Sequence, residues 1–375
     1  MAYDLKSFLA KKAAAKEQPA TAPASSFLDA TLEHSYAPPS NFSLDCSVSD
    51  EAIAPLDIIH LEPSEIDPRL KLLSHSSRGL LHKCPRKYQL YRLSSETVAL
   101  EETKEIEQQV TFAYGHAVGI GVQSTLEGKS LDQVLLDCFL GWDADLLDKN
   151  DRQMKSFWLA AFAAESFYNM YHDEGFLADY ELVYYQGRPA VELSFQVLLP
   201  NDFTYRGFLD GVLQHKVTRE ILVLEGKTSS GKANSASYKN SGQALGYSVI
   251  LDELFPDLSS YTVLYLVYES KSFAYVELPF KKSLFQRALW LQELIIDCKS
   301  VELYHSFGSY PMHGEACYDF FRDCEYLSLC TLETKNLTKP LTQQLVDKIA
   351  VDAKTYEFTV PFETLVERQL AKGEM

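Results

Sequence analysis

The chain has 375 residues, of which 46% are hydrophobic, and this is enough apolar material for one large domain or two ordinary ones. Its 52 acidic residues outnumber its 35 basic residues and give a net charge of −17, which argues against a nucleic-acid partner unless basic residues are concentrated locally. The sequence holds no run of about 18 apolar residues, and this excludes a typical membrane-spanning helix.

The N-terminal part differs in composition from the rest of the chain. Residues 1–70 contain stretches rich in Pro, Ala and Ser, and we expect a flexible or poorly ordered extension that could dock a protein partner. Its first residues lack the apolar core of a signal peptide, and seven cysteines, an odd number, argue against a disulfide framework. Both observations favour a reducing compartment, the cytoplasm.

Helical patterns follow the extension. A capped helix is predicted over residues 76–84, and Pro85 suits the first turn of another helix. Further helical patterns cover residues 111–126, 130–147 and 152–173.

Strand patterns begin near Tyr180, and two strands each end at a charged motif: Asp210 closes one, and Glu225-Gly-Lys227 closes the next. Because side chains alternate faces along a strand, Glu225 and Lys227 project to the same side, and pairing of the strands can bring Asp210 beside them. Two carboxylates and an ammonium group suit Mg²⁺- or Mn²⁺-assisted cleavage of a phosphodiester. The alternative is two strand ends with solvated charges.

The second half of the chain alternates strands and helices. Residues 241–251 predict a helix on which Gln243 and Tyr247, four residues apart, share a face. Two paired strands are predicted on either side of Glu269, and a long helix follows over residues 282–300. Helices followed by a mixed sheet with helices packed on it predict an α/β domain.

Four cysteines form a pattern in which one member lies far upstream of the other three. Cys84 lies in a Cys-Pro-Arg-Lys-Tyr sequence, and a C-x6-C-x5-C trio lies near the C-terminus at Cys317, Cys324 and Cys330. Four thiolates suit a [4Fe–4S] cluster or a tetrahedral zinc ion, and free buried thiols are the third alternative.

The order of these motifs resembles the PD-(D/E)XK nuclease superfamily, in its RecB-like branch with an iron–sulfur cluster, which includes the CRISPR-adaptation exonucleases and phage relatives. The resemblance covers roughly residues 74 to 330. It implies a restriction-endonuclease-like mixed central sheet flanked by helices, with a helical N-terminal part and a C-terminal cysteine cluster. The nuclease domain would span residues 71–335, followed by a helical and strand tail over residues 336–375.

The resemblance also implies roles for individual residues. Asp210 and Glu225 would bind Mg²⁺ or Mn²⁺, and Lys227 would assist the nucleophile. Gln243 and Tyr247 would support the site and contact the nucleic-acid strand. A [4Fe–4S] cluster, with zinc as the alternative, would be held by Cys84, Cys317, Cys324 and Cys330.

One motif of the family fits badly. Many relatives carry Gly-x-x-x-His on a helix, and the histidine is a further metal ligand. Counted from Gly119, the histidine position holds Gln123, which we expect to be a weak metal ligand, and His116 is expected to be a partly exposed helix residue. Glu192 is either the glutamate that the family often has on this strand or a solvent-facing charge.

The expected partner is DNA with a single-stranded end. Basic residues crowd the segment from Arg78 to Arg92 and could hold a strand, and several tyrosines, Tyr88, Tyr91, Tyr238 and Tyr247, could stack on bases. The hypothesis is therefore a metal-dependent DNA exonuclease that acts in recombination, repair or DNA processing. The alternatives are an endonuclease of the same fold and a non-catalytic DNA-binding recombination subunit.

Overall fold

The structure is a computed structural model, and it describes residues 65–93, 102–150, 155–258, 261–319, 322–330 and 356–373. Most of the predicted N-terminal extension, residues 1–64, lies outside the described residues, as does Cys46. No helix among the described residues is long and apolar enough to cross a membrane.

Five α-helices precede the long strands of the described chain. Ser74 caps the first helix, because its hydroxyl accepts the Ser77 N–H while the Ser77 hydroxyl accepts the Ser74 N–H at 2.8 Å. The predicted helix over residues 130–147 is shorter than expected, because it ends at Gly141 and a short 3₁₀ turn follows. The helices are α1 (His75–Lys83), α2 (Pro85–Leu93), α3 (Glu102–Leu126), α4 (Leu131–Leu140) and α5 (Phe157–His172).

Most of the described strands belong to one mixed sheet. The strands are β1 (Leu72–Leu73), β2 (Tyr180–Leu182), β3 (Tyr184–Tyr185), β4 (Arg188–Pro189), β5 (Val191–Leu198), β6 (Thr204–His215), β7 (Ile221–Ser229), β8 (Thr262–Glu269), β9 (Ala274–Lys281), β10 (Tyr318–Asp319), β11 (Arg322–Asp323) and β12 (Phe358–Pro361). The main strand order of the sheet is β12-β5-β6-β7-β8-β9, in which the β12–β5 and β7–β8 pairs are parallel and the others antiparallel. The short β1 and β2 also pair with β6, whereas the two-stranded pairs β3–β4 and β10–β11 are separate from this sheet.

The remaining helices are α6 (Ser235–Lys239), α7 (Gly242–Ile250), α8 (Leu284–Ser306) and α9 (Phe362–Gly373).

Both faces of the sheet are covered. On β7, Val223 packs into the core that includes residues of α7 and α8, whereas Leu222 and Leu224 pack into a core with residues of α3 and α5. This alternation is the period-2 pattern of a strand buried on both faces. The predicted α/β class, with a mixed central sheet flanked by helices, is confirmed.

The two charged motifs lie inside their strands, and the prediction that they close them is wrong. β6 continues past Asp210 to His215, and β7 continues past Glu225 to Ser229. Pairing with neighbouring strands holds these segments extended, since Gly211 pairs with Leu224 and the whole of Leu222–Ser229 pairs with β8. The carboxylates therefore project from the middle of the sheet rather than from its edge.

Candidate active site

A cleft of about 650 Å³ lies over the middle of β6 and β7, and its walls come from α1, α3, β5 and α7. It collects residues that are up to 173 positions apart in the sequence, from Ser74 to Tyr247. All of the residues predicted to act in catalysis or to bind the divalent ion line it: Gln123, Asp210, Glu225, Lys227, Gln243 and Tyr247.

The centre of the cleft contains the two carboxylates and the lysine of the strand motifs. The Gly226 N–H donates a hydrogen bond of 2.8 Å to Asp210 Oδ2, which fixes this carboxylate beside β7. The Lys227 ammonium donates to Glu225 Oε1 in an ion pair. The second oxygen of Glu225, Oε2, is buried and has no hydrogen-bond partner among the described residues. One buried carboxylate oxygen thus lacks the partner that such atoms usually have.

Burial controls the ionisation of the two carboxylates and the lysine at the centre of the cleft. Burial, and after it the neighbouring charge of Asp210, raise the pKa of Glu225 to about 8, against the opposing effects of Lys227 and the Tyr247 hydroxyl. Burial also raises the pKa of Asp210, against the opposing effect of Lys227. For Lys227, burial is the largest single effect and acts to lower the pKa, but the charge and hydrogen bond of Glu225, together with the Asp210 charge, outweigh it and the pKa is raised. The cleft therefore holds two carboxyl groups that ionise less readily than usual, close to a single lysine.

Glu192 supplies a third carboxyl group to the cleft. Its backbone has a φ of 51°, a left-handed conformation that is uncommon for a residue with a side chain, and it interrupts the pairing of β5 opposite Asp210. The Gln123 amide donates a hydrogen bond to Glu192 Oε1. Burial and the Asp210 charge raise the pKa of Glu192 to about 7. The Glu192 side chain is exposed to solvent, and it lines the cleft.

The donor set fits a hard divalent cation. Three carboxyl groups with raised pKa values and one unpaired buried oxygen favour a cation of small radius and oxygen preference, such as Mg²⁺ or Mn²⁺. Among the described residues, however, no group of three or more His, Cys, Asp or Glu side chains converges closely enough to hold a metal ion as the side chains stand.

Gln243 and Tyr247 form one wall of the cleft. Gln243 Nε2 donates to the Tyr247 hydroxyl at 2.7 Å, across one turn of α7. Tyr247 is only 4% exposed, and burial together with the Glu225 and Asp210 charges raises its pKa well above the ordinary value. Tyr247 therefore carries its proton next to the carboxylates, and its buried ring cannot serve as the stacking face for a base that the sequence suggested.

Two histidines also line the cleft. His116 is exposed, as expected, and its Nδ1 lies 3.3 Å from the Gly141 carbonyl oxygen. His75, which sequence reasoning missed, is the first residue of α1. Partial burial and the Lys227, Arg78 and His82 charges lower its pKa to about 4, so His75 is neutral at physiological pH. The one sequence signal was its position directly after the helix cap Ser74.

Three arginines of the basic segment from Arg78 to Arg92 are turned to interior partners, whereas His82 and Lys83 are exposed. Arg78 is buried and forms an ion pair with Asp297. Arg86 is buried and donates to the Cys330 carbonyl oxygen at 3.1 Å, and Arg92 donates to a main-chain carbonyl of β1. These guanidinium groups satisfy interior acceptors, because they lie on the faces of α1 and α2 that pack inward.

Tyr88, like these arginines, has an interior hydrogen-bond partner. It is fully buried, and its hydroxyl donates to the Leu70 carbonyl oxygen at 2.8 Å, so the prediction that it could stack on a base is wrong. Tyr91 is 47% exposed and keeps an accessible ring.

The four cysteines of the predicted cluster lie in one neighbourhood. Cys84 caps α1 and is buried, whereas the other three are partly accessible. Burial raises the pKa of Cys330, and so do the charges of the other three thiols, Cys324, Cys84 and Cys317. The Cys324 N–H donates to the Cys317 carbonyl oxygen at 2.7 Å across the β10–β11 hairpin. Folding thus brings the upstream cysteine to the C-terminal trio.

Arg86 connects the two parts of this cysteine group. It follows Cys84 by two residues, and its guanidinium donates to the carbonyl oxygens of Leu329 and Cys330. Burial lowers the pKa of Arg86, and the Cys330 and Cys84 thiols oppose that effect. Four thiols are a donor type that suits a soft metal or an iron–sulfur cluster, but as the described side chains stand, no three of them converge closely enough to hold a metal ion.

Comparisons of the chain with known proteins gave no match to any protein-family model and no match among curated proteins.

Proposed function

We propose that this chain is a divalent-metal-dependent DNA exonuclease of the PD-(D/E)XK superfamily, from its RecB-like branch. The observation that carries the proposal is the meeting of Asp210, Glu225 and Lys227 in one cleft, with one buried oxygen of Glu225 unpaired. A restriction-endonuclease-like fold is part of the proposal, and the mixed order of the central sheet supports it.

Asp210 and Glu225 would hold the ion, with Glu192 as a further oxygen donor. When bound, Mg²⁺ or Mn²⁺ supplies Lewis-acid polarisation of the phosphoryl oxygen and lowers the pKa of a water. Lys227 stays charged because Glu225 raises its pKa, and its ammonium can stabilise the charge that develops on the phosphate. The Gln243–Tyr247 hydrogen bond holds the α7 wall in place.

Gln123 fits the histidine position of the family only in part. Its amide nitrogen donates to Glu192, so Gln123 orients a carboxylate rather than adding a strong ligand of its own. In the same proposal, a [4Fe–4S] cluster would be held by Cys84, Cys317, Cys324 and Cys330 and would have a structural role.

The direct test uses purified protein with end-labelled linear DNA and with circular DNA. We expect cutting of linear DNA in Mg²⁺ or Mn²⁺ and none in chelator. Asp210→Asn and Glu225→Gln should each reduce the rate by more than about 100-fold, because each removes the charge of a metal ligand and little volume. Glu277→Gln, which alters an exposed carboxylate on β9, is the matched control and should cut at the wild-type rate.

Three results would change the assignment. Cutting that persists in chelator or in Asp210→Asn contradicts the proposed metal site. Circular DNA cut as fast as linear DNA identifies an endonuclease. Binding of DNA without cutting, under all of these conditions, identifies a non-catalytic DNA-binding subunit.

A further inference from the structure

We propose that a small cavity beside the cleft accepts one nucleobase of the substrate, next to the phosphate that is cut. The inference rests on the proposed nuclease function and extends it to a specific substrate contact. The cavity has a volume of about 270 Å³ and shares Gly115, Gly119, Gly226 and Lys227 with the lining of the cleft. The two spaces therefore adjoin at Lys227, and a group bound in one is within reach of a phosphate bound in the other.

The lining of this cavity differs from that of the cleft. Val118 and Val122 of α3 and Leu266 of β8 provide apolar surface, and carboxylates are absent from its lining among the described residues. Tyr275 forms a fixed wall, because its hydroxyl donates to the Ala163 carbonyl oxygen at 3.0 Å. An apolar cavity with a few polar atoms at its mouth is typical of a ligand site, and this volume is just below the range for drug-sized ligands.

The glycines of α3 are the second observation. Gly115 and Gly119 are one helical turn apart, and both line the cavity. A Cβ atom on Gly119 would meet no atom within 4 Å, and one on Gly115 would meet only Thr228 Oγ1, at 3.5 Å. On the same helix, a Cβ on Gly121 would lie 2.3 Å from Ala164 Cβ. Packing therefore explains glycine at position 121 but not at 119.

Glycine in the middle of a helix is unfavourable, and it is used where another group approaches the backbone closely. At Gly119 the described residues supply no such group, so the space beside it is open to a ligand. A side chain at this position would project into the cavity. Gly119 thus keeps the mouth of the cavity open toward the cleft.

A nucleobase is the occupant that matches the cavity in chemistry and position. The phosphate of a nucleotide belongs with Lys227 and the metal-binding carboxylates, and the base is the planar part with large apolar faces. Bases bind to apolar and aromatic surfaces without regard to sequence, as proteins that hold single strands do. Thr228, in the lining of the cavity, can donate a hydrogen bond to the edge of a base.

The test uses single-stranded oligonucleotides that carry one 2-aminopurine at successive positions from the end, bound in Ca²⁺. We expect one position at which binding raises the fluorescence, because the base leaves its stacked neighbours and enters the cavity. Gly119→Leu should abolish this rise and weaken binding by about 10- to 100-fold. Gly119→Ala should give a smaller effect in the same direction.

Cutting assays give an independent readout. For an oligonucleotide with an abasic site at the responsive position, wild-type protein and Gly119→Leu should cut at equal rates, since no base remains to be excluded. The matched control is Gly79→Leu on α1, where a Cβ also meets no atom within 4 Å but faces a different cavity. This control should retain the fluorescence rise.

The outcomes separate the two proposals. If the wild-type protein neither binds nor cuts DNA, the proposed function fails and the base-binding cavity fails with it. If the wild-type protein cuts DNA but Gly119→Leu retains both the fluorescence rise and the wild-type affinity, only the cavity assignment is overturned. The same loss in Gly79→Leu as in Gly119→Leu would also overturn it, because the effect would not depend on this cavity.

Discussion

At the scale of single residues, Glu225 controls the electrostatics of the cleft. It is 1% exposed, one of its oxygens pairs with Lys227, and the other has no partner among the described residues. An ionised carboxylate in such a place is costly unless a charge compensates it, and this is why burial raises its pKa to about 8. The Glu225 carboxyl therefore ionises less readily than an ordinary glutamate, and a bound cation would favour its charged form.

The first residue-scale prediction concerns pH. Because the folded pKa values of Glu225 and Glu192, about 8 and about 7, lie above the ordinary 4.5, the folded protein holds protons that the unfolded chain releases. The stability of the metal-free protein should therefore decrease as pH rises from about 4.5 to about 8. Thermal unfolding followed across this range measures the effect, and Glu225→Gln should reduce the slope.

Metal binding should have the opposite dependence on pH. A divalent ion must displace these protons, so the rise in Tm caused by Mn²⁺ should grow as pH increases from about 6 to about 9. Glu225→Gln should lose most of this rise, whereas the exposed Glu277→Gln should keep it. A shift in Tm that is independent of pH, or equal in the two variants, would contradict a metal site at Glu225.

At the scale of elements, the irregular part of the sheet lies where the carboxylates meet. Glu192 interrupts β5 with a φ of 51°, and on β6 both Leu209 and Val212 pack into the same core although they are three residues apart. Side-chain alternation is thus broken at Asp210 and Gly211. Irregularities of this kind redirect side chains next to functional sites, and here they bring two carboxylates together from adjacent strands.

Helix α3 allows a prediction that separates packing from function. Gly119→Ala should raise the free energy of unfolding by about 0.5–1 kcal/mol, because alanine is the better helix former and the added Cβ meets no atom. Gly121→Ala should instead lower it by about 1–3 kcal/mol, because the Cβ would overlap with Ala164. Chemical denaturation measures both changes, and the same sign for both would contradict the packing of α3 described above.

At the scale of the whole molecule, the cysteine group links distant parts of the chain. Cys84, at the end of α1, lies near Cys317, Cys324 and Cys330, and Arg86 bonds to the same C-terminal segment. A bound cluster would close a loop of more than two hundred residues and restrict the unfolded chain, as a long-range disulfide does.

The prediction for this group is loss of both colour and stability. Replacing any of the four cysteines by serine should remove the visible absorbance of the cluster in anaerobically purified protein and lower stability by about 3–5 kcal/mol. Cys138→Ser, a buried cysteine whose thiol bonds to the Ala117 carbonyl oxygen, should keep the absorbance. Zinc without iron in the purified protein would replace the iron–sulfur assignment by a zinc site.

A buried charge network attaches the C-terminal helix to the rest of the described fold. Asp252 is fully buried; it forms ion pairs with Arg287 and with Lys372 of α9, and it accepts the Tyr261 hydroxyl at 2.7 Å. Gln369 of α9 also donates to it. This network fixes α9, and β12 immediately before it pairs in parallel with β5, the strand that carries Glu192.

Removing the carboxylate should be strongly destabilising. Asp252→Ala leaves two cations buried without their shared partner, and we expect a loss of about 3–5 kcal/mol. Asp257→Ala, which alters an exposed carboxylate in the same loop, should change stability by less than about 0.5 kcal/mol. Limited proteolysis should cleave the C-terminal segment of Asp252→Ala faster than that of the control. Equal rates would contradict the anchoring role.

The sequence by itself determined the local elements and the candidate chemistry. Helix caps, turn residues and apolar periodicity predicted most helices and strands, and the period of a strand placed Glu225 and Lys227 on one side of β7. These signals act over a few residues, so they can be read from spacing alone. The α/β class followed from the order of the elements along the chain.

Only the tertiary structure decided which charged and aromatic residues face the cleft. The sequence suggested a DNA-binding surface that includes Arg78, Arg86 and Tyr88. Long-range packing instead directs these side chains to interior partners such as Asp297 and Leu70. His75, the interior positions of Asp210 and Glu225, and the cavity beside Gly119 likewise depend on contacts between distant segments. Burial and pairing arise from such contacts, and local sequence patterns do not contain them.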